Sequence, residues 1–351
     1  MDILIFVIAL SILVIVHEFG HYFAAKFTGV KVEEFGLGLP PMIWGKKIGQ
    51  TIWSLNWLPI GGFCKLEGES PEDTKKSTTS FMYKNPWQKG LIVLGGVLMN
   101  IVLAVVIFST VYTILGVPTQ TNKVKVIGVV KNSPAETAGI KEKDWVLSVN
   151  DVYISKPEEL TKEVIKDKGN ETNLLINRDD QILSFKVMVR DNPPAGEGAM
   201  GVAISNTEMT KIAWYEFYKG IGAGFKEAYF WGKIILGGVT KMIGGLLMGK
   251  VPSDVAGPIG MFEATSSIKK SQGFLAVIHF FGIVSVNLAV VNVLPFPALD
   301  GGRIIFVLYE MFTKKRANQK FEGWVNNIGM MILLTLILAI TVGDVARLVK
   351  R

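Results

Sequence analysis

The chain has 351 residues, enough for more than one structural unit. Of these, 49% are hydrophobic and 19% charged, below the roughly 25% charge of soluble globular chains, so the balance favours a membrane protein. The net charge of +7 does not argue for nucleic acid. The Lys residues sit mostly in loops between apolar runs, with no RNA- or DNA-binding signature, and basic loops are what the cytoplasmic side of a membrane protein carries.

In chain order, Ile3 to about Ala25 is apolar and long enough to cross a bilayer, which takes about 20 helical residues. Its start, Ile3 to Val16, has the apolarity of a signal peptide. It lacks a basic n-region and a small-residue cleavage site, so it reads as a retained helix. Thr51, Ile52, Trp53 and Trp57 are strand-prone, and Pro59 with Gly61-Gly62 ends that strand. A second span runs from Leu91 to about Leu115.

From Thr121 to about Asn206 the pattern changes. Val124-Lys125-Val126-Ile127 and Phe185-Lys186-Val187-Met188-Val189 alternate as half-buried strands do. Pro134-Ala135 opens a short helix and Asn150-Asp151 marks a turn, so 121–206 reads as a small soluble domain. Trp214 to Met248 mixes aromatics and glycines with Lys226, Glu227, Lys233 and Lys241, which predicts an amphipathic helix near the outer membrane surface. A fifth span, Ala228 to Leu247, is the alternative. Gly273 to Leu294, ended by Pro295 and Pro297, and Trp324 to Gly343 are the third and fourth spans.

Orientation follows from the loops. Nine Lys between spans one and two, and Arg303, Lys314, Lys315, Arg316 and Lys320 between spans three and four, place both loops in the cytoplasm. Both termini and the soluble domain are then outside. Arg347, Lys350 and Arg351 oppose this assignment but are fewer.

The chemistry starts at His17-Glu18-Phe19-Gly20-His21. Residues four apart share a helix face, so both imidazoles can hold one zinc ion, and Glu18 can reach a water beside it and take its proton. A charge at the centre of a spanning helix costs about 2.5–3.5 kcal/mol on insertion scales, so such residues mark a function. The alternative is a polar patch that packs helices together. A catalytic zinc needs a third protein ligand. Cys64 is the single cysteine, which excludes an intramolecular disulfide and a cysteine-based zinc site.

His279 is the one His left, but it lies early in span three, towards the outer face, whereas His17 lies late in span one. Asp300 follows span three at a matching depth, where Pro295 and Pro297 break the helix and Gly301-Gly302 allow close approach. Asp300 is therefore the expected third ligand, and a helix-capping Asp is the bland alternative. His279 is expected to be structural or lipid-facing. By donor chemistry alone the site would also admit iron, cobalt or manganese.

The pair His17 to His21 and Asn292-Val293-Leu294-Pro295-Phe296-Pro297-Ala298-Leu299-Asp300-Gly301 resembles the two signatures of the site-2 protease family of intramembrane zinc metalloproteases, in the family's order. The resemblance extends along the whole chain and is nearest to bacterial members with one PDZ domain. It implies His17, His21 and Asp300 as zinc ligands and Glu18 as general base and acid. It also implies substrate contacts by Asn292, by Pro295 and Pro297, and by Thr51, Ile52, Trp53, Ser54 and Leu55 of a membrane-associated hairpin. An exposed strand edge there could pair with an unwound substrate; an interfacial hairpin without a substrate role is the alternative.

Glu34 to Pro40 resembles the family's glycine-rich stretch after the first helix. Asn132 to Asn150 resembles a bacterial PDZ signature, with Lys143 and Asp151 replacing its usual glycines. Gly96 replaces a family Pro four residues before Asn100, which is retained and could orient a helix or a ligand.

The expected architecture is a polytopic α-helical membrane protein with about four transmembrane helices, a membrane-associated β-hairpin at about 44–66 and an inserted extracytoplasmic PDZ domain. Its parts are a membrane core (1–120), the PDZ domain (121–206), an amphipathic gate segment (207–272) and a second membrane core (273–351). The expected activity is zinc-dependent cleavage of single-pass membrane proteins in the bacterial inner membrane, such as anti-sigma factors or signal-peptide remnants. A site-1-type protease would act upstream on the same substrate. The competing class is a non-catalytic scaffold that binds peptides through its PDZ domain, for which Glu18 would be dispensable; a metal transporter lacks a path of polar residues along the spans.

Overall fold

The computed structural model describes residues 2–69, 77–194, 196–248 and 257–349. Lys75 and Lys76 of the first basic loop, and 249–256 within the expected gate segment, lie outside them. The described chain forms two compact units, Met1–Ile114 with Ala213–Arg351, and Leu115–Ile212 between them.

In the first unit, helix α1 covers Asp2–Phe27. Strands β1 (Val32–Ile48) and β2 (Thr51–Leu66) follow, then α2 (Pro86–Leu115). Pro86 opens α2, and Asn85 and Gln88 cap it by exchanging side chain–backbone bonds of 2.8 and 3.3 Å. Where α1 and α2 cross, a Cβ on Gly20 would stand 2.1 Å from the Gly95 carbonyl, and one on Gly95 2.5 Å from that of Gly20. In lipid, close backbone approach of this kind replaces the hydrophobic effect as the source of helix association.

The hairpin of β1 and β2 curls over itself. Val32↔Leu66 to Leu37↔Gly62 pair antiparallel, as do Trp44↔Leu55 to Ile48↔Thr51. Between them Glu34↔Ile52 to Leu37↔Leu55 advance together, in parallel. The strand order is therefore 44–48, 51–55, 34–37, 62–66. Ile52 to Leu55 are internal, with neighbours on both sides. Leu39, Met42, Ile43, Trp44 and Trp57 leave the folded end of the hairpin apolar and exposed.

The second unit begins with β3 (Val117–Val129), α3 (Pro134–Ala138), β4 (Trp145–Val149) and β5 (Val152–Tyr153). Helix α4 (Pro157–Lys166) and strands β6 (Glu171–Arg178), β7 (Gln181–Met188) and β8 (Val202–Thr210) complete it. Its sheet runs β7-β6-β4-β3-β8 with β5 on β4. The alternating positions do what their period requires. Val124, Val126 and Val187 enter a core with Val146, Val149, Leu174 and Ile176, while Lys186 and Met188 face out. Ser133 caps α3, and buried Asp144 receives two 2.7 Å bonds from Arg178.

The rest of the first unit is α5 (Phe217–Leu247), α6 (Pro258–Gln272), α7 (Phe274–Val293), α8 (Asp300–Thr313) and α9 (Gln319–Val349). Among the described residues, four helices are long and apolar enough to cross a membrane: α1, α2, α7 and α9 over Lys320–Arg347. Helices α1, α2 and α9 exceed their expected spans because each helix outruns its apolar stretch, while α7 matches its span to within one residue at each end.

Helix α5 departs from the expected surface position. Gly220 packs on Thr113, Gly224 on Ser109 and the Val105 carbonyl, and Gly232 faces Val286. The α2 partners descend as α5 ascends, whereas Glu227 meets His279 and Gly232 meets Val286, so α5 lies along both helices, antiparallel to α2 and parallel to α7, rather than across their ends. Its charge is absorbed there. Glu227 accepts from Trp231 Nε1 at 2.8 Å, lies 3.3 Å from His279 Nε2 and stands beside Tyr112.

Candidate active site

His17 and His21 sit one turn apart on α1, and His17 is buried. Asp300 reaches them by the turn out of α7. Ala298 takes φ +73° and Leu299 is extended, so Asp300 is the first residue of α8. A Cβ on Gly301 would stand 2.1 Å from the Leu294 carbonyl, and one on Gly302 2.4 Å from that of Phe296. Only glycine lets α8 start against these carbonyls.

His17 Nε2 lies 3.2 Å from His21 Nε2 and 3.2 Å from Asp300 Oδ2, and His21 Nε2 lies 3.6 Å from the same oxygen. Four-coordinate zinc with ligands at about 2.0–2.1 Å would set neighbouring ligand atoms about 3.3–3.4 Å apart. Asp300 Oδ2 is buried and accepts no hydrogen bond. Three lone pairs converging without a donor repel one another unless a cation lies between them. Among the described residues, this group has the spacing to hold a metal ion.

The outer bonds of the imidazoles agree. The Ile92 carbonyl, 2.9 Å from His21 Nδ1, can only accept, so Nδ1 carries the proton and Nε2 is bare. The Asn100 amide lies 3.1 Å from His17 Nδ1, and its oxygen is otherwise without a partner. Turning that amide so that the oxygen accepts from Nδ1–H satisfies both groups and bares His17 Nε2 as well. Ser285 of α7 donates to the Asn100 carbonyl at 2.8 Å, which ties this arrangement to the third span. Gly96 leaves room for it, since a Cβ there would stand 2.5 Å from His21 Nε2.

Glu18 faces the same space. A cavity of about 380 Å³ is lined by His17, Glu18, His21, Asn292 and Asp300, with Phe63 and Cys64 of β2 on its wall. Strand β2 passes beside Glu18, where a Cβ on Gly62 would stand 3.5 Å from Glu18 Cγ. A helical Glu beside two imidazoles, an opposing Asp and a strand edge is the layout of a hydrolytic metal site.

The sequence profile of peptidase family M50 matches residues 5–336. The chain belongs to peptidase family M50. A relative from Clostridium perfringens, provisionally named a zinc metalloprotease, is 33% identical, with 98% of each chain covered. A relative from Clostridium acetobutylicum with the same provisional name is 30% identical, covering 98% of this chain and 97% of that one. One from Campylobacter jejuni, also so named, is 30% identical over 98% and 93%.

In this M50 peptidase the remaining expected site residues divide. Asn292 Nδ2 comes within 3.4 Å of His17 Nε2, at the end of α7. Pro295 is exposed on the α7–α8 turn, whereas Pro297 packs on Gly329 of α9.

The expectation that Thr51, Ile52, Trp53, Ser54 and Leu55 offer a free strand edge is corrected. Ile52 to Leu55 are paired on both sides, Thr51 pairs with Ile48 and bonds the Val32 carbonyl at 3.0 Å, and Ser54 bonds Glu34. Trp53 packs its ring 4.9 Å from Phe35 and 5.4 Å from Tyr22. The strand that borders the candidate active-site cavity is 62–66, at the edge of the sheet. Sequence pattern could not show this, because a linear hairpin and a curled one have the same strand-prone residues.

His279 lies outside the cluster, against Phe108 and Glu227. The Ile92 carbonyl carried no sequence signal. Neither did Arg303 and Glu69, which ion-pair at the cavity wall; only their position in the fold reveals them.

Proposed function

We propose that this M50 peptidase cleaves single-pass membrane proteins within or at the edge of the bilayer, with His17, His21 and Asp300 as zinc ligands and Glu18 as general base and acid. The enzyme is a zinc metalloprotease of the membrane. The observation that carries the residue assignment is the convergence of two imidazole Nε2 atoms and an unsatisfied carboxylate oxygen at near-tetrahedral spacing.

Zinc, when bound, supplies Lewis acidity, polarising the scissile carbonyl and lowering the pKa of a water towards neutrality. Glu18 takes the proton of the attacking water and delivers it to the leaving nitrogen. Asn100 and the Ile92 carbonyl hold the two imidazoles in the tautomer that ligation requires. Asn292 is placed to donate to the substrate backbone beside His17. The outer edge of 62–66, which borders the cavity beside Glu18, replaces the hydrogen bonds a substrate helix loses when it unwinds.

The sheet unit is read as a PDZ domain that screens substrates by size, supported by its resemblance to the PDZ signature from Asn132 to Asn150. The Lys- and Arg-rich loops support a cytoplasmic hairpin, with the termini and this domain outside the inner membrane. Anti-sigma factors trimmed by an upstream site-1-type protease, or signal-peptide remnants, fit as substrates.

Purified enzyme in detergent with a tagged single-pass helix tests the reading. Glu18→Gln is expected to slow cleavage by about 10²- to 10⁴-fold while bound zinc stays at the level of the unaltered chain, and chelation should stop cleavage. Equal cleavage by both proteins would remove Glu18 from the mechanism.

A further inference from the structure

A second cavity, of about 700 Å³, adjoins the active-site cavity beside the hairpin and α8. Phe63, Cys64, Glu69, Phe81 and Arg303 line both and form their common wall. At that wall Arg303, one turn after Asp300, ion-pairs with Glu69, just past the end of β2. Anything that leaves the zinc ligands in this direction meets the pair first.

The larger cavity is polar and unevenly charged. Among the described residues its lining holds Lys65, Lys89, Arg303, Arg316 and Lys320 against Glu69, Glu310 and Glu322, five cations to three carboxylates. Three of the cations are paired, Lys89 with Glu310 at 2.6 Å, Arg303 with Glu69, and Lys65 with Glu33 at 3.2 Å, which leaves Arg316 and Lys320 facing Glu322. Arg316 lies 4.6 Å over the Tyr83 ring, and both it and Lys320 are exposed. An apolar transmembrane segment gains nothing in such a chamber. A carboxylate-rich peptide meets a surplus of cations one wall away from the scissile bond.

We propose that this chamber is a subsite for an acidic flank of the substrate, the stretch of Asp and Glu next to the cleaved segment. Arg316 and Lys320 attract its carboxylates, and Arg303 exchanges Glu69 for one of them as the flank enters. The inference rests on the proteolytic reading above, but its test reads binding alone.

The lone cysteine is the reporter. Cys64 stands in the common wall, and burial pushes its thiol pKa upward, with the charges of Glu18 and Glu69 adding to the effect, so labelling is run at mildly alkaline pH. The full chain carrying Glu18→Gln, which leaves peptides uncut, is mixed with two synthetic peptides that share one apolar stretch. One has an Asp/Glu tail and the other a Lys tail. The acidic-tailed peptide should bind about tenfold tighter, a modest charge preference for an exposed site, and should slow Cys64 labelling by a water-soluble maleimide.

Arg316→Glu with Lys320→Glu, at exposed positions that spare the fold, should erase that preference and leave binding of the Lys-tailed peptide no weaker. Equal affinity for the two tails would overturn the proposal, as would a preference that survives the double substitution. Equal protection of Cys64 by vesicles of anionic lipid without peptide would also overturn it, in favour of a headgroup site. Cleavage of either peptide by the unaltered chain, lost in Glu18→Gln, would uphold the protease even where the chamber fails.

Discussion

Two amide and carbonyl oxygens decide the electronic state of the candidate ligands. The Ile92 carbonyl fixes the proton of His21 on Nδ1, and the Asn100 amide, once turned so that its oxygen faces His17 Nδ1, does the same for His17, which leaves both Nε2 atoms facing Asp300 Oδ2. Partners of this kind commonly contribute 10- to 100-fold in metal affinity. Asn100→Ala is therefore expected to weaken zinc binding by about that factor with the fold intact, measured by competition with a fluorescent chelator. Unchanged affinity would mean that His17 keeps its tautomer without help. Asn100 could be singled out in the sequence as a polar residue in an apolar span. The Ile92 carbonyl could not, because every residue has one and only the packing of α2 on α1 aims this one.

At the scale of elements, the turns of the sheet unit carry strain that the sequence signature anticipates. Lys143 takes φ +77° and Asp151 φ +65°, the positions where the PDZ pattern has glycine. Asn150 and Asp151 join Val149 to Val152 as a two-residue hairpin with both central residues at positive φ, a turn that favours Asn-Gly. A side chain held in the left-handed region costs about 1–2 kcal/mol, partly offset by the greater freedom glycine has when unfolded. Lys143→Gly and Asp151→Gly should each stabilise the unit by roughly 0.5–1 kcal/mol, read in the full chain as slower hydrogen exchange along β4 and β5. Exchange that speeds up would show that these side chains contribute contacts outweighing the strain.

For the whole molecule, α5 is the element that composition misplaces. Lys226, Glu227, Lys233 and Lys241 make it a poor spanning segment by composition, yet it packs along α2 and α7. Glu227 meets His279, Tyr112 and Trp231 there. Such polar contacts between helices are worth about 0.6–2 kcal/mol, enough to hold a helix whose glycines already admit close approach. Glu227→Ala should loosen α5 and speed tryptic cleavage at Lys226 and Lys233 in detergent by several-fold. An unchanged digest would assign the docking to Gly220, Gly224 and Gly232 alone. The same cluster explains His279, the one His that periodicity could not place.

What the sequence determined by itself was local or periodic. Apolar runs marked four helices of spanning length, alternation marked the core of the sheet unit, and fixed spacing put His17, Glu18 and His21 on one helix. Proline and glycine around Asp300 marked a bend with close approach, because those residues restrict or free the backbone wherever they stand. The tertiary structure alone decided which strand of the hairpin is the edge, which helix α5 lies against, and which carbonyl, amide and ion pair surround the candidate metal ligands. These depend on residues brought together across long stretches of chain, as Asn292 and Asp300 are brought to His17, and no local pattern records a contact whose partner is chosen by packing.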